Sequence, residues 1–501
     1  MLFNSYIFIF LFLPICVVGF YLLKKRAPIA AKIWLIGFSL WFYGYFNLSY
    51  LAIMISSILF NYLIYQWIIR LQADKGIHDN TGDEGNGSII KPGKLPLIIG
   101  ILGNVALLGY FKYTDFLIDS CNHIFGTDYP LKNILLPLGI SFFTFQQIGF
   151  IADVYRGEIK ECGFVDYALF VSFFPQLIAG PIADGKSMLP QYRSLGKPDK
   201  VIEGITLFIL GLSKKVLIAD TLGMAVDYAY DAVICGINSI EALLAVLFYA
   251  LQLYFDFSGY CDMALGLGKI FGFEIPINFD SPYKSGNIIE FWRRWHITLN
   301  KFLSRNVYIT LGGNRKGNIR TYVNLLIVFL ISGIWHGAGV NFILWGCMHG
   351  VMYVITRLII KNSKNEKSCT GILSHVITFV FVCIAWVFFR APSVSVGCKM
   401  LTSIITGGIG RIGDEFLHGF NSGEFWYVLK AAHLTGFGFS RYIVMSLFGL
   451  FATLIVFLAP SAKEISGKIK YNISNGILFG ALFVWCVLSL SGVSTFLYFN
   501  F

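Results

Sequence analysis

Residues 328–339 read Val-Phe-Leu-Ile-Ser-Gly-Ile-Trp-His-Gly-Ala-Gly, an apolar run that ends directly in a histidine. Its first seven residues belong to the apolar stretch Tyr322 to Ile334, which we predict to be a membrane-embedded helix. An imidazole at membrane depth is costly unless a partner offsets its desolvation, so it marks a functional site by default. His336 is therefore the first candidate for chemistry, as a general base that accepts a proton from a hydroxyl group.

The rest of the chain has the same apolar character. Of its 501 residues, 56% are hydrophobic and 13% are charged, whereas a soluble domain carries roughly 25% charged residues. Apolar stretches recur almost from end to end, which predicts an all-α polytopic membrane protein with about ten to twelve membrane-embedded helices. We expect one integral membrane domain over residues 1–501, with a polar cytoplasmic loop at residues 70–94. A soluble enzyme with a single anchor is excluded.

The net charge of +11 points to a lipid bilayer and not to nucleic acid. Basic residues collect beside apolar segments, as the positive-inside rule predicts for cytoplasmic ends. Lys24, Lys25 and Arg26 follow the first apolar stretch, Tyr6 to Leu23, so we expect that helix to be retained with its N-terminus outside. The ten cysteines form no C-x-x-C pair and the histidines lack metal-ligand spacing, which predicts no metal site.

Two interrupted apolar segments are predicted to be re-entrant or interfacial. Phe164 to Ile182 carries prolines near its end, and Ile205 to Ile218 carries two lysines. Non-helical backbone and charges at that depth require a protein interior or a water-filled cavity around them. These segments therefore predict an internal cavity.

Basic and aromatic residues are densest between Glu290 and Arg305. On one continuous helix, Trp292, His296 and Asn300 would share a face, with Arg293, Lys301 and Arg305 on neighbouring faces. Two interpretations stay open. The segment is either an interfacial helix with snorkelling arginines and headgroup-level tryptophans, or the basic, aromatic wall of a cavity that receives an anionic cofactor.

Two acids, Asp256 and Asp262, lie in an apolar setting. They would be proton-relay groups in a transporter, or they would pair with Arg293 or Arg294 and hold the basic helix in place. The pairing role is the one we favour. His349 follows a glycine-rich break and is interpreted as structural, while Gly337 and Gly339 are expected to leave room for a substrate beside His336.

Five ordered motifs resemble the signature of the membrane-bound O-acyltransferases (MBOAT), in the bacterial branch that contains the alginate O-acetyltransferase membrane subunit. They are Phe174 to Ile182, Tyr254 to Tyr260, Phe291 to His296 (Phe-Trp-Arg-Arg-Trp-His), Leu311 to Gly317 (Leu-Gly-Gly-Asn-Arg-Lys-Gly) and Trp335 to Gly337. The resemblance covers residues from roughly 40 to roughly 390, and it leaves residues 391–501 as additional hydrophobic spans.

The resemblance implies a membrane fold around a funnel or tunnel, in the bacterial inner membrane. His336 would be the near-essential histidine and His296 the second polar catalytic residue. Substrate or donor contacts would come from Trp292, Arg293, Arg294, Trp295, Asn300 and Trp335. The donor would be acetyl-CoA or another acyl thioester, with no bound cofactor. The acceptor would be a hydroxyl of an exported polysaccharide, or of an extracytoplasmic acetyltransferase partner protein.

The chemistry leaves several roles open at this point. His336 would deprotonate or orient the acceptor hydroxyl. His296 and Asn300 would either polarise the thioester carbonyl or hold the tautomer of His336. A membrane transporter, or a scaffold subunit of a polysaccharide export or modification complex, is the alternative from another functional class.

Overall fold

The structure is a computed structural model that describes residues 1–79, 92–362, 371–420, 430, 440–491 and 496–497. Within these residues it contains helices and no strands. Seven of the helices are long and apolar enough to cross a membrane, and three shorter apolar helices bring this group to ten. The predicted all-α polytopic class is confirmed.

The chain forms two compact units. The first comprises Met1–Phe208 and Met263–Ile277, and the second comprises Ile209–Asp262 and Asn278–Phe501. The helices of the first unit are Phe8–Phe12 (π), Leu13–Lys24, Pro28–Gly44, Leu48–Asp79, Lys94–Phe125, Ile140–Tyr155, Phe164–Ser172, Phe174–Leu177 and Gly185–Ser194. Two further helices, Val201–Ser213 and Ser239–Phe271, have residues in both units. The single membrane domain over residues 1–501 stays a prediction.

The helices of the second unit include the basic segment and the helix that ends at His336. They are Lys214–Ala219 (π), Asp220–Ala232, Pro282–Lys284 (3-10), Ile288–Arg294, Ile297–Leu303, Ser304–Tyr308 (π), Asn318–His336, Val340–Asn362, Ile372–Arg390, Val394–Thr406, Asp414–His418, Ser440–Leu458, Ala462–Lys468, Ile473–Leu488 and Ser489–Ser491 (3-10).

The predicted polar loop at residues 70–94 begins too early. The helix Leu48–Asp79 continues through its first ten residues, and the next helix already begins at Lys94. Residues such as Leu71, Gln72 and Ala73 are good helix formers, so polarity alone does not end the helix there. Residues 80–91 lie outside the described part of the chain.

In the first unit, the segment predicted as interrupted breaks as expected. Phe164–Ser172 ends before Phe173, and only one further turn, Phe174–Leu177, follows. The neighbouring helix begins at Ile140, and nearly all of its side chains are buried. The helix Ile140–Tyr155 is therefore an internal element. The placement of these segments relative to the bilayer stays a prediction.

In the second unit, two glycines allow a close helix crossing. A Cβ atom on Gly333 would lie 3.2 Å from the Cα atom of Gly346, and a Cβ on Gly346 would lie 3.2 Å from the Cα of Gly333. Small residues of this kind let helix backbones approach within a membrane, where packing drives helix association. The crossing joins Asn318–His336 to Val340–Asn362 and fixes the end of the first helix, where His336 lies.

Asp256 and Asp262 lie inside a long apolar helix. Ser239–Phe271 runs for 33 residues and contains both acids. Lysine side chains from the neighbouring segment pair with them there.

Candidate active site

The basic segment is not one helix. The expected continuous helix over residues 290–305 is wrong, because Ile288–Arg294 ends and a second helix, Ile297–Leu303, begins after a break. The side-chain amide of Asn300 donates to the carbonyl of Trp295 at 2.8 Å and also to that of Trp292, which satisfies orphan carbonyls of the first helix. His296 lies in the break with φ of +46°, in the left-handed region.

The side chain of His296 is fully buried, with 0% exposure. Its Nδ1 lies 3.2 Å from the carboxamide oxygen of Asn278, and its ring centroid lies 5.0 Å from that of Phe257. Burial lowers the pKa of His296 to about 3, because the charged imidazolium is poorly solvated in this apolar setting. His296 is therefore a neutral imidazole at physiological pH.

His336 ends its helix beside His296. The two ring centroids are 6.3 Å apart, and His336 is 3% exposed. Trp335 packs against both rings, at 4.9 Å from His336 and 6.0 Å from His296. The rings of Trp345 and Phe389 also pack on His336, with centroids 5.0 and 5.2 Å from the centroid of its ring. The structure thus brings together the two predicted catalytic histidines and Trp335.

A third histidine borders this aromatic cluster. Trp292 donates its indole N–H to Nδ1 of His349 at 3.2 Å, and the ring of His349 lies 4.9 Å from that of Trp345. Both Nε1 of Trp345 and Nε2 of His349 are buried without a hydrogen-bond partner among the described residues. The sequence motifs alone did not place His349 near the candidate site. The signal for it is that Trp345 and His349 are four residues apart on one helix.

The acids pair with lysines and not with arginines. Asp256 lies 2.6 Å from Lys215, which also contacts Asp220 at 2.8 Å, and Asp262 lies 2.6 Å from Lys214. The predicted pairing with Arg293 or Arg294 is wrong. The lysines lie in a segment packed beside the acids, so the charges are offset within the apolar interior. The backbone N–H of Leu497 also donates to Asp256 at 3.0 Å.

Comparison with known proteins decides the family. The model of the membrane-bound O-acyltransferase family, MBOAT, matches residues 151–400. The chain is also 37% identical to the peptidoglycan O-acetyltransferase of Helicobacter pylori, over 100% of this chain and 98% of that protein. The chain belongs to the membrane-bound O-acyltransferase family. This MBOAT protein is thus an O-acyltransferase and a multi-pass membrane protein, and the resemblance of its motifs is confirmed.

Two further relatives of the MBOAT protein carry different names. It is 38% identical to the probable alginate O-acetylase AlgI of Pseudomonas aeruginosa, over 90% of this chain and 82% of that one. It is 28% identical to the teichoic acid D-alanyltransferase of Bacillus subtilis, over 52% of this chain and 70% of that one. The segment matched by the family model contains both His296 and His336.

The two predicted arginines of the MBOAT protein differ in their surroundings. Arg293 is exposed, whereas Arg294 is 2.9 Å from Glu290, one turn earlier on the same helix. Trp295 packs on Trp386, with ring centroids 4.9 Å apart. Arg293 is therefore the one of the two arginines whose charge is available to a ligand at the surface.

The glycines after His336 do not leave open space. The ring of Phe342 occupies the position that a Cβ on Gly337 would take, and the side chain of Asn341 does the same at Gly339. The expectation of substrate room at these glycines is wrong. Their small size is used for the close return of the chain into the next helix. Among the described residues of this MBOAT protein, no group of three or more potential metal ligands occurs.

Proposed function

We propose that this MBOAT protein transfers an acetyl group from a cytoplasmic thioester to a hydroxyl group across the bacterial inner membrane. The donor is acetyl-CoA or another acyl thioester. The acceptor is a hydroxyl of an exported polysaccharide, or of an extracytoplasmic acetyltransferase partner protein that passes the group on. The buried pair of His296 and His336, with ring centroids 6.3 Å apart, is the observation that carries the proposal.

His336 acts as the general base in this reaction. It removes the proton from the acceptor hydroxyl while the oxygen attacks the thioester carbonyl, and the C–S bond breaks as the ester C–O bond forms. The proton then passes to the leaving thiolate. A positioned base contributes about 10²- to 10⁴-fold to the rate. The aromatic side chains around His336 limit the access of water, which protects the thioester from hydrolysis.

The acetyl group is supported by the names of the full-length relatives. The Helicobacter pylori relative is a peptidoglycan O-acetyltransferase, and the Pseudomonas aeruginosa relative is a probable alginate O-acetylase. Both names pair an acetyl group with a polysaccharide. An exported polysaccharide is therefore the acceptor class that we assign to this chain.

The exposed Arg293 is the residue that we assign to the phosphates of a coenzyme A donor. A guanidinium group binds phosphate oxygens through several N–H donors. Arg294 already pairs with Glu290, and Asn300 already donates to two backbone carbonyls. These two residues support the shape of the site in the proposal, and Trp292, Trp295 and Trp335 form its aromatic wall.

Transfer of radiolabelled acetyl by purified protein in liposomes tests the proposal. Acetyl-CoA is supplied on one side, with oligosaccharide acceptors and candidate partner proteins on the other. His336→Gln is expected to lower transfer by about 10²-fold or more, and His418→Gln, the same change at an exposed histidine, leaves it unchanged. Equal labelling by His336→Gln would contradict the proposal. Polysaccharide export that continues without any acyl transfer by the wild type would favour the transporter or scaffold alternative.

A further inference from the structure

Asn278 is a buried residue, 1% exposed, whose carboxamide lies between several groups around His296. Its Oδ1 atom lies 3.2 Å from the backbone nitrogen of Thr298 and 2.9 Å from the hydroxyl of the same residue. A backbone N–H can only donate, so the atom that faces it must be the carboxamide oxygen. The amide nitrogen correspondingly donates to the sulfur of Cys261 at 3.6 Å. These contacts fix the orientation of the carboxamide.

The fixed oxygen determines where the proton of His296 lies. Nδ1 of His296 is 3.2 Å from that oxygen, which offers only lone pairs. Nδ1 must therefore carry a hydrogen for the contact to be favourable. A neutral imidazole has one N–H group, so Nε2 keeps its lone pair and is the basic nitrogen.

We infer that Asn278 is a positioning residue that holds His296 in the Nδ1–H tautomer. Nε2 of His296 then accepts a hydrogen bond, from the reacting hydroxyl or from an N–H of His336. In this tautomer Nε2 does not donate to the thioester carbonyl, which decides between the roles that the sequence left open. The inference rests on the proposed function, in which the buried pair of His296 and His336 forms the site of the reacting hydroxyl.

Backbone contacts also hold His296 beside Asn278. His296 lies at φ of +46°, between two helices, and the N–H of Ile297 donates to the backbone carbonyl of Asn278 at 3.0 Å. Asn278 thus contacts both the side chain of His296 and the backbone of the next residue. A non-glycine residue in the left-handed region persists when the surrounding structure holds it there.

The ¹⁵N NMR spectrum of protein labelled at histidine, in nanodiscs, tests the inference without a folding risk. The signals of His296 are assigned by their loss in His296→Gln. We expect a protonated Nδ1 and an unprotonated Nε2 in the wild type. A wild-type His296 with the proton on Nε2 would overturn the inference directly.

Two variants separate positioning from packing. Asn278→Leu removes the acceptor at similar size and is expected to release the tautomer. It should lower kcat by about 10- to 100-fold, the size of the effect when groups that orient metal-bound histidines are lost, with the KM for the donor unchanged. Thr298→Val is the matched control, because it removes a hydroxyl from the same oxygen and leaves the bond to His296. It should keep the tautomer and nearly full activity, and equal losses in both variants would overturn the inference.

The same measurements distinguish the role of His296 in acyl transfer from the positioning role of Asn278. Full acyl transfer by His296→Gln would contradict any role of His296 in the reaction, whichever nitrogen carries its proton. Transfer that requires His296 but survives Asn278→Leu, with the tautomer unchanged, would overturn only the positioning role of Asn278.

Discussion

The imidazole rings of His296 and His336 lie 6.3 Å apart, centroid to centroid, although one side chain projects from a break between helices and the other ends a membrane-spanning helix. Trp335 packs against both rings. Two buried imidazoles at this spacing can share one hydroxyl group through hydrogen bonds. The arrangement suits the removal of a proton from an acceptor alcohol.

His296 should stay neutral through the physiological pH range. Burial lowers its pKa to about 3, so the neutral form is present above that pH and is lost only as the pH falls through it. The measurement is a ¹⁵N NMR titration of the histidine-labelled protein from about pH 8 to about pH 5. Its ring signals should not move over this interval. A midpoint near the ordinary value for histidine would show that water reaches the ring.

The buried cation Lys215 should stabilise the second unit strongly. Lys215→Met removes the cation that contacts Asp256 and Asp220, and Asp256 is 2% exposed. We expect the free energy of unfolding to fall by about 3 to 5 kcal/mol, as for other broken buried ion pairs. Unfolding in mixed detergent micelles measures it. Lys200→Met is the control, because the pair of Lys200 with Glu274 is exposed and is worth about 1 kcal/mol or less.

A similar loss in the two lysine variants would contradict the assignment of Lys215 to a buried network. The double variant Lys215→Met, Asp256→Leu adds a second check. Removing both charges should recover part of the stability, because an unpaired buried charge costs more than an apolar pair.

The glycine crossing should tolerate no methyl group. Gly333→Ala places a Cβ 3.2 Å from the Cα of Gly346 and against the carbonyl of Phe342. Overpacking of this kind costs about 1 to 3 kcal/mol, and it would displace the end of the helix that carries His336. The temperature of thermal unfolding and the rate of acyl transfer should both fall. Gly109→Ala, also inside an apolar helix but with open space around it, should be neutral or slightly stabilising.

The exposed Arg293 should affect donor binding and not the chemical step. Arg293→Ala is expected to raise the KM for acetyl-CoA with kcat unchanged, because a phosphate contact remote from the reacting carbon acts equally on the ground and transition states. The effect should shrink at high salt. Arg294→Ala serves as the comparison, because Arg294 is paired with Glu290. A larger change in KM for Arg294→Ala would reverse the assignment.

The sequence was sufficient to predict the helical class and the two central histidines. Apolar stretches of membrane-spanning length and the polar residues within them carry that information locally. His336 was identified by its place at the end of an apolar run, and His296 by the family motif that contains it. Their proximity depends on the folded chain and is a finding of the structure.

The details that the sequence did not predict depend on contacts between distant residues. The break at His296 is stabilised by Asn278 and Asn300, whose side chains bind backbone and ring atoms there. Asp256 pairs with Lys215, 41 positions earlier, and not with the arginines that follow it. Periodicity on a single helix cannot reveal such partners, because it describes only residues close along the chain.

A double-mutant cycle on acyl transfer tests most directly the claim that His296 and His336 act together on one hydroxyl. The rates of His296→Gln, His336→Gln and the double variant are compared with the wild type, using purified protein in liposomes and labelled acetyl-CoA. Residues that act as a unit have non-additive effects. We therefore expect the double variant to lose no more activity than the worse single variant. Losses that multiply in the double variant would show two independent contributions and would contradict it.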